Sequence, residues 1–192
     1  TLVVSPDNAS RRDINDAIRA ELQGNGALSK DNHAMTVLTQ RSELTSADRN
    51  WAALYQPADV LYYTRGSKEL GLERGTYATV VSTDPKANQL TVEREDGQHV
   101  TYDPKRLHGI AAYREIARDF AEGDRLQFTV SKPDMEIRNR DLGTVERIDG
   151  TDMTVRMDGD KARTLTFDTS EMRHFDHGYA VTSHSSQGLT TD

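Results

Sequence analysis

The C-terminal end of the sequence carries the residue types that best suit contact with phosphate or nucleotide groups. A short apolar run, 179–181, leads into hydroxyl side chains, one imidazole, one amide and one glycine. Hydroxyl groups donate hydrogen bonds to phosphate oxygens, and glycine lets the backbone approach a ligand closely. The candidate residues are Thr182, Ser183, His184, Gln187, Gly188 and Thr190. The alternative interpretation is a polar loop that only caps the end of a strand.

Charged residues on two polar segments, 66–75 and 131–140, form a second group of candidates. They can contact a partner protein or the phosphates of DNA, and the alternative is that they form a solvated face. The candidate residues are Lys68, Glu69, Lys132, Glu136, Arg138 and Arg140. Charges at the rim of an interface steer association more than they set affinity.

Two histidines near the C-terminus, His174 and His177, flank Asp176 at a spacing that can suit a metal ion. No third ligand lies nearby in the sequence, so we predict no metal site. The sequence has no cysteine, which excludes a disulfide framework, a thiol nucleophile and a cysteine-based metal site.

The composition limits the partners of the chain. Its 192 residues include 24 basic and 31 acidic side chains, for a net charge of −7. Strong nonspecific binding of nucleic acid by the isolated chain is therefore not expected, and we expect a monomer with weak affinity for single-stranded DNA. No apolar run reaches the length of a membrane span and no signal peptide opens the sequence, so we expect a cytoplasmic protein without membrane insertion.

The N-terminal part has the pattern of an α/β unit. Residues 1–5 are a continuous apolar run, which predicts a strand buried on both faces. The following residues place Ile14, Ile18 and Leu22 at a spacing of four, which predicts a helix that Ser10 caps and Gly24 ends. A strand over 34–40 and a short helix over 44–55 are predicted next.

The remaining sequence is rich in short strands and repeats itself. Residues 55–80 match 120–145 without a gap at an offset of 65, and Leu61 falls on Leu126 as Tyr63 falls on Phe128. Chance similarity between two alternating patterns is the alternative to duplication. We predict a mainly β fold with α elements, in which two tandem SH3-like barrels are carried on a partial α/β core.

The predicted organisation has five segments. They are 1–57, a partial α/β strand and helix with a lead-in; 58–110, the first barrel; 111–122, a helical linker; 123–175, the second barrel; and 176–192, a return to the α/β core.

The segment GYAVTSHSSQGLT, 178–190, resembles motif V of superfamily 1 helicases, with Thr182, His184, Gln187, Gly188 and Thr190 at the motif positions. The first strand and helix resemble the start of the second RecA-like domain, 2A, of RecD-like helicases, which implies that 1–57 and 176–192 belong to a partial RecA-like core. In that subgroup an SH3-like insertion, 2B, precedes motif V, as barrel material does here. The whole order most resembles the helicase region of conjugative relaxases of the TraI/TrwC type, with 2B and 2B-like barrels.

The resemblance implies two alternative functions. One is a non-catalytic internal translocation signal, recognised by the coupling protein of a type IV secretion system in a bacterial donor cell and contributing to single-stranded DNA binding. The other is part of an active ATP-dependent 5'-3' DNA helicase motor. The sequence lacks a Gly-Lys pair and hence a P-loop, so we expect this segment to bind no cofactor and to be no enzyme. The resemblance places ATP, Mg and DNA nicking in a longer parent.

Overall fold

The computed structural model describes residues 3–5, 8–159 and 163–182. The chain divides into two compact units, one of Leu38–Ile116 and one that combines Thr1–Val37 with Ala117–Asp192. In the described ranges there is one α-helix, α1, which spans Asn8–Gly24. No helix in these ranges combines the length and hydrophobicity needed to cross a bilayer.

The remaining regular secondary structure of the described residues consists of thirteen strands and four short 3-10 turns. The strands are β1 (Val3–Ser5), β2 (His33–Gln40), β3 (Asp59–Tyr63), β4 (Tyr77–Asp84), β5 (Gln89–Arg94), β6 (His99–Tyr102), β7 (Ile110–Phe120), β8 (Arg125–Phe128), β9 (Leu142–Asp149), β10 (Asp152–Met157), β11 (Thr164–Asp168), β12 (Phe175–His177) and β13 (Ala180–Thr182). The 3-10 turns are Asp48–Asn50, Ala52–Leu54, Pro104–Arg106 and Pro133–Met135.

The strands form three sheets. The first has the order β2-β7-β3-β4-β5-β6, and the second has the order β11-β10-β9-β8-β12. The third is a parallel pair of β1 and β13, in which Val3 lies opposite Ala180 and Ser5 lies opposite Thr182. The fold is therefore mainly β, as predicted.

The two larger sheets repeat one arrangement, which we call copy one (55–112) and copy two (120–177). Tyr63 pairs with Ile110 in copy one, and Phe128 pairs with Phe175 in copy two, so both partners are shifted by the predicted offset of 65. Each copy also contains one isolated bridge, Ser67 to Leu72 and Lys132 to Ile137, at the same offset. Identical pairing registers support the predicted duplication.

The cores of the two copies use the same positions. The buried pairs, with copy one first, are Tyr55 and Phe120, Leu61 and Leu126, Tyr63 and Phe128, Leu72 and Ile137, Val80 and Val145, Tyr102 and Phe167, Leu107 and Met172, and Ile110 and Phe175. Residues two apart on a strand share a face, which is why Leu61 and Tyr63 both point inward.

The predicted helix within 111–122 is wrong, because Ile110–Phe120 forms strand β7. This segment pairs with β3, and Leu61 lies opposite Ala112. A partner strand distant in sequence outweighs the weak helical preference of the segment. The predicted helix over 44–55 is also wrong, because this segment contains two separate 3-10 turns, which occupy half of it.

The N-terminal predictions need three corrections. Val4 is 46% exposed, so β1 is not buried on both faces. Helix α1 begins at Asn8, so Ser10 lies in its first turn and is not the cap. The helix ends at Gly24 as predicted, but the left-handed residue is Gly26, with φ of 78°.

Candidate functional site: the C-terminal strand and the two hairpins

The structure reaches the C-terminal motif only at its first residue. Thr182 ends strand β13 and lies opposite Ser5 in the parallel pair. The other candidates of this motif lie outside the described residues: Ser183, His184, Gln187, Gly188 and Thr190. Their proposed contacts with DNA or nucleotide stay a prediction, whereas the anchoring of the strand that leads into them is visible.

Helix α1 holds this strand through a buried amide. The Asn15 side chain accepts a hydrogen bond from the Ala180 backbone at 2.6 Å and donates one to the His177 carbonyl at 3.2 Å. Asn15 is 2% exposed, so both bonds are shielded from water. Since it binds both ends of the link between β12 and β13, Asn15 fixes the direction in which the chain enters the motif.

Two arginines neutralise the buried carboxylate of Asp176 on β12. Arg11 of α1 donates to Asp176 Oδ2 at 3.0 Å, and Arg118 donates to Oδ1 at 3.2 Å. A buried charge is tolerated when it is paired and hydrogen-bonded. Asp176 therefore joins the helix to the second sheet, which is a structural role for a residue considered as a metal ligand.

A second buried carboxylate, Asp124, collects three donors in the same unit. Arg19 Nε lies 3.1 and 3.0 Å from its two oxygens, the Tyr179 hydroxyl donates at 2.5 Å, and the Ala121 backbone donates at 2.7 Å. Burial raises the pKa of Tyr179, and its hydrogen bond to Asp124 raises it further. Tyr179 therefore remains a neutral donor at the start of the motif.

The cleft beside α1 has a volume of about 290 Å³, and its lining includes Arg19, Arg118 and His177. Its guanidinium groups are engaged, because Arg19 binds Asp124 and Arg118 binds Asp176. His177 Nε2 lies 2.9 Å from the Asp119 carbonyl. The cleft is thus lined by groups that hold the fold together.

The geometry around His174 and His177 gives no support for a metal site. Within the described ranges, no cluster of three or more His, Cys, Asp or Glu side chains is arranged to hold a metal ion. Burial lowers the pKa of His174, and the charges of Lys132 and Arg173 lower it further, to about 4. His174 is therefore neutral at physiological pH.

The two predicted hairpin surfaces have the same backbone frame and different tips. In each hairpin two backbone bonds close the tip, between Ser67 and Leu72 and between Lys132 and Ile137. Most of the candidate side chains are exposed, and Lys132 is half-buried; the exposed ones are Lys68, Glu69, Glu136, Arg138 and Arg140.

Arg163 holds one tip more tightly than the sequence indicates. Its guanidinium donates to the Glu136 carboxylate at 3.2 Å and to the carbonyls of Met135 and Glu136. Arg163 lies next to β11, far from the hairpin in sequence. The Glu136 side chain is therefore pinned, whereas no corresponding arginine holds Glu69 in the described contacts.

Sequence reasoning missed the polar stripe of α1, formed by Arg11, Asn15 and Arg19. These three residues are buried, whereas Ile14 and Ile18 are only half-buried. The spacing of four was visible in the sequence, but a stripe of long polar residues normally predicts a solvent-facing side. The signal that identifies it is the pair of buried carboxylates, which lie more than 100 residues away.

Comparison with known proteins gives limited information. No family model and no curated protein matches the chain. Among solved structures, one of two coordinating Pif1 helicases at forked double-stranded DNA matches 40% of this chain and 20% of that chain, at 29% identity and a TM-score of 0.34. Bacteroides Pif1 bound to single-stranded DNA matches 40% of this chain and 22% of that chain, at 26% identity and a TM-score of 0.34. A Bacteroides Pif1 complex with ADP-AlF3 and single-stranded DNA matches the whole chain and 32% of that chain, at 12% identity and a TM-score of 0.24.

The chain thus spans about a fifth of the first two helicase chains that it matches. TM-scores of this size define neither a shared fold nor a shared function.

Proposed function

We propose that this chain is a non-catalytic segment of a conjugative relaxase-helicase that acts as an internal translocation signal. The coupling protein of a type IV secretion system is its partner, and single-stranded DNA is a weak second ligand. The two copies correspond to SH3-like 2B and 2B-like barrels, and the segments around β1 and β13 belong to a RecA-like 2A core.

The parallel pairing of β1 with β13 is the observation that carries the proposal. These strands lie near opposite ends of the sequence, and both copies lie between them. The helicase resemblance implies the same order: a core strand and helix come first, a β-rich insertion follows, and a second core strand returns. Asn15 strengthens this closure because it hydrogen-bonds to Ala180.

The exposed hairpins support recognition by a protein partner. Their closing bonds and buried anchors, Leu72 and Ile137, maintain the frame, so the tips are free to differ. A docking surface needs exposed side chains that folding does not require. Lys68 and Glu69 on copy one meet that condition better than Glu136 on copy two, which Arg163 holds.

A transfer assay tests the proposal. The chain is fused to a recombinase reporter in donor cells that carry a conjugative plasmid, and recombination is scored in recipient cells. We expect transfer of the intact fusion and at least about a tenfold loss when Lys68, Glu69, Lys132 and Glu136 are charge-reversed, which corresponds to about 1.4 kcal/mol of binding free energy.

The matched control reverses Glu21 and Lys30, two exposed residues outside both hairpins, and should leave transfer unchanged. If the intact fusion never promotes transfer, the recruitment proposal is wrong. If transfer survives reversal at both tips, the hairpins are not the signal.

A segment of an active helicase motor is the second candidate. The direct path from the anchored strand β13 into the motif favours it, because a fixed strand can transmit movement between nucleotide and DNA. This candidate predicts that a longer parent carries an intact phosphate-binding loop upstream of Thr1. The present chain, purified alone, should hydrolyse no ATP with or without single-stranded DNA, and turnover above background would contradict both candidates.

A further inference from the structure

Trp51 is the only tryptophan of the sequence, and it lies on the surface of the unit formed by Leu38–Ile116. It is 49% exposed, and the Lys105 ammonium lies 3.7 Å from the centroid of its ring. Leu54, in the adjoining 3-10 turn, is 40% exposed. An exposed tryptophan beside a cation matches the composition of protein interfaces, in which tryptophan is enriched.

The Asn88 side chain holds this surface together. It accepts a hydrogen bond from the Ala52 backbone at 2.8 Å and donates to the Asn50 carbonyl at 3.1 Å, so it binds the residues on both sides of Trp51. It also donates to Asp103 at 2.7 Å. Asp103 in turn accepts from the Lys105 backbone at 2.9 Å and caps the turn that carries Lys105. One amide therefore links the backbone on both sides of Trp51 to the turn that carries Lys105.

Copy two lacks this device, although its frame is the same. The capping bond is present, since the Ser170 backbone donates to Asp168 at 2.7 Å. Ser170 stands where copy one has Lys105, and the turn between β9 and β10 is two residues shorter than the turn that supplies Asn88. The Trp51 arrangement is thus an addition that the shared fold does not require.

The cations near Trp51 are more accessible to a partner than two of the nearby carboxylates. Two of the carboxylates are used within the unit: Asp103 binds Asn88, and Asp48 accepts from the Thr45 backbone and hydroxyl at 2.9 and 2.7 Å. The Lys105 and Arg106 side chains are exposed. The surface therefore offers cations next to apolar groups.

A cleft of about 410 Å³ adjoins the same turn. Arg106 and Asp103 lie on one side of it, Leu70 and Glu69 of the hairpin line it as well, and Tyr102 contributes to the lining. An extended segment bound at Trp51 can therefore place a side chain in the cleft. We call Trp51, Leu54, Lys105 and Arg106 together the Trp51 surface.

We propose that the Trp51 surface docks an acidic peptide segment of a partner protein, with carboxylates at Lys105 and Arg106 and aliphatic side chains on Trp51 and Leu54. Charge complementarity and the exposed indole select this occupant, since tryptophan and arginine dominate the energetics of protein interfaces. Single-stranded DNA is the less suitable occupant, because the ammonium already covers a face of the indole on which a base would stack.

This inference goes beyond the proposed recruitment function, and it stands whether or not the partner is a secretion protein. The test uses the intact chain, in which Trp51 is the only indole that fluoresces. Three probes are titrated: a short peptide of alternating Glu and Leu, the same peptide with Lys in place of Glu, and oligo-dT. Anisotropy of a fluorescein label on each probe gives an independent binding curve.

We expect a saturable change in Trp51 emission with the Glu/Leu peptide and none with the Lys/Leu peptide. The Lys105→Glu variant should raise the Kd for the Glu/Leu peptide about tenfold or more, equivalent to about 1.4 kcal/mol. The matched control, Lys30→Glu, makes the same charge change at an exposed residue of the other unit and should leave the Kd unchanged. Asn88→Ala should weaken binding as well, because it releases both turns.

Three results would overturn the proposal. They are the absence of a saturable response to the Glu/Leu peptide, an unchanged Kd in Lys105→Glu, and a response to oligo-dT that equals or exceeds the peptide response. Circular dichroism of each variant identifies one that fails to fold, and Lys105→Glu then decides the result because its side chain is exposed.

Discussion

Copy one joins Tyr63 to Tyr102 through two buried hydroxyls 3.0 Å apart, whereas copy two packs Phe128 against Phe167 with ring centroids 5.7 Å apart. The four residues occupy equivalent positions on equivalent strands. A hydrogen bond and an aromatic edge contact therefore fill the same space in the same frame. The two copies therefore share the pairing register and the inward positions of the side chains, whereas the side chains at those positions can differ.

The copies also differ in which segment of the chain supplies the arginine that pairs with a buried aspartate. A buried aspartate, Asp59 or Asp124, lies where the first strand of each copy begins and accepts a backbone hydrogen bond from the preceding turn. Arg41, which follows β2, pairs with Asp59, whereas Arg19 of α1 pairs with Asp124. The repeat requires a cation at this point, and the segment that supplies it differs.

The largest expected effect comes from removing these carboxylates one at a time. Asp124→Asn should lower the free energy of unfolding by about 3–5 kcal/mol, because Arg19 is left buried without its carboxylate and the one amide oxygen cannot replace the two oxygens that accept from Tyr179 and Ala121. Asp59→Asn should cost less, since Arg41 retains Glu43 at 2.8 Å. Urea denaturation measures both values. Equal losses, or a loss below about 1 kcal/mol for Asp124→Asn, would show that the buried pair does not stabilise copy two as described.

Acid should affect copy two more than copy one. The pKa of His174 is lowered from 6.5 to about 4 by burial and by the charges of Lys132 and Arg173, so the folded state favours the neutral imidazole. The free energy of unfolding should therefore be fully retained above pH 6.5. It should fall by up to about 3 kcal/mol as the pH drops from 6.5 through about 4, because His174 is protonated more readily in the unfolded chain. Copy one has Gly109 at the equivalent position.

Thermal unfolding between these pH values checks this prediction, with His174→Gln as the variant that should lose most of the dependence. A variant that retains the full acid sensitivity would assign the effect to other groups.

The tyrosine pair allows a direct exchange between the copies. Tyr63→Phe alone should cost about 1–3 kcal/mol, because the Tyr102 hydroxyl is left buried without its partner. The double change to phenylalanine recreates the copy two pair and should recover most of this loss. A double-mutant cycle in urea measures the coupling, and additive losses would contradict the equivalence of the two cores.

The pKa of Tyr63 is raised to about 12 by burial, although its hydrogen bond to Tyr102 lowers it. A raised pKa means stability that is present below pH 10 and lost as the pH rises from 10 through about 12. The double variant should therefore also resist alkali better than the unchanged chain.

The smallest expected effects concern left-handed residues that the copies share. Ala58 and Gly123 occupy the same turn position, with φ of 70° and 95°. Ala58→Gly should stabilise copy one by up to about 1 kcal/mol, since a Cβ is strained in this region. Gly123→Ala should destabilise copy two by about 1–2 kcal/mol, because the new Cβ also meets Leu28 Cδ1 at 3.2 Å. Opposite signs in thermal unfolding would confirm the shared geometry, and equal signs would contradict it.

Local patterns predicted the parts of the fold that depend on local rules. The period of two along the strands and the aligned turn residues identified the inward positions such as Leu61 and Leu126. Strand β7 was missed because its conformation depends on pairing with β3, about 50 residues earlier in the sequence. The polar stripe was missed because Asp124 and Asp176, which require Arg19 and Arg11, are distant in sequence from α1.

The candidate site was predicted by residue type more than by position. The hairpin residues are exposed as expected, but the role of Arg163 in holding Glu136 depends on a contact between distant segments. The Trp51 surface was missed because the sequence predicts one helix over 44–55, whereas Trp51 lies between two 3-10 turns and is exposed. Its support comes from Asn88, whose three contacts no periodicity reveals.

Exchanging the two hairpins, 66–75 and 131–140, within one chain tests the central claim most directly. Both are closed by the same backbone bonds and anchored by Leu72 or Ile137. We therefore expect the free energy of unfolding to change by no more than about 1 kcal/mol, as for other exposed substitutions, while reporter transfer falls markedly. Loss of folding would contradict the equivalence of the two copies, and undiminished transfer would show that the partner does not recognise the features in which they differ.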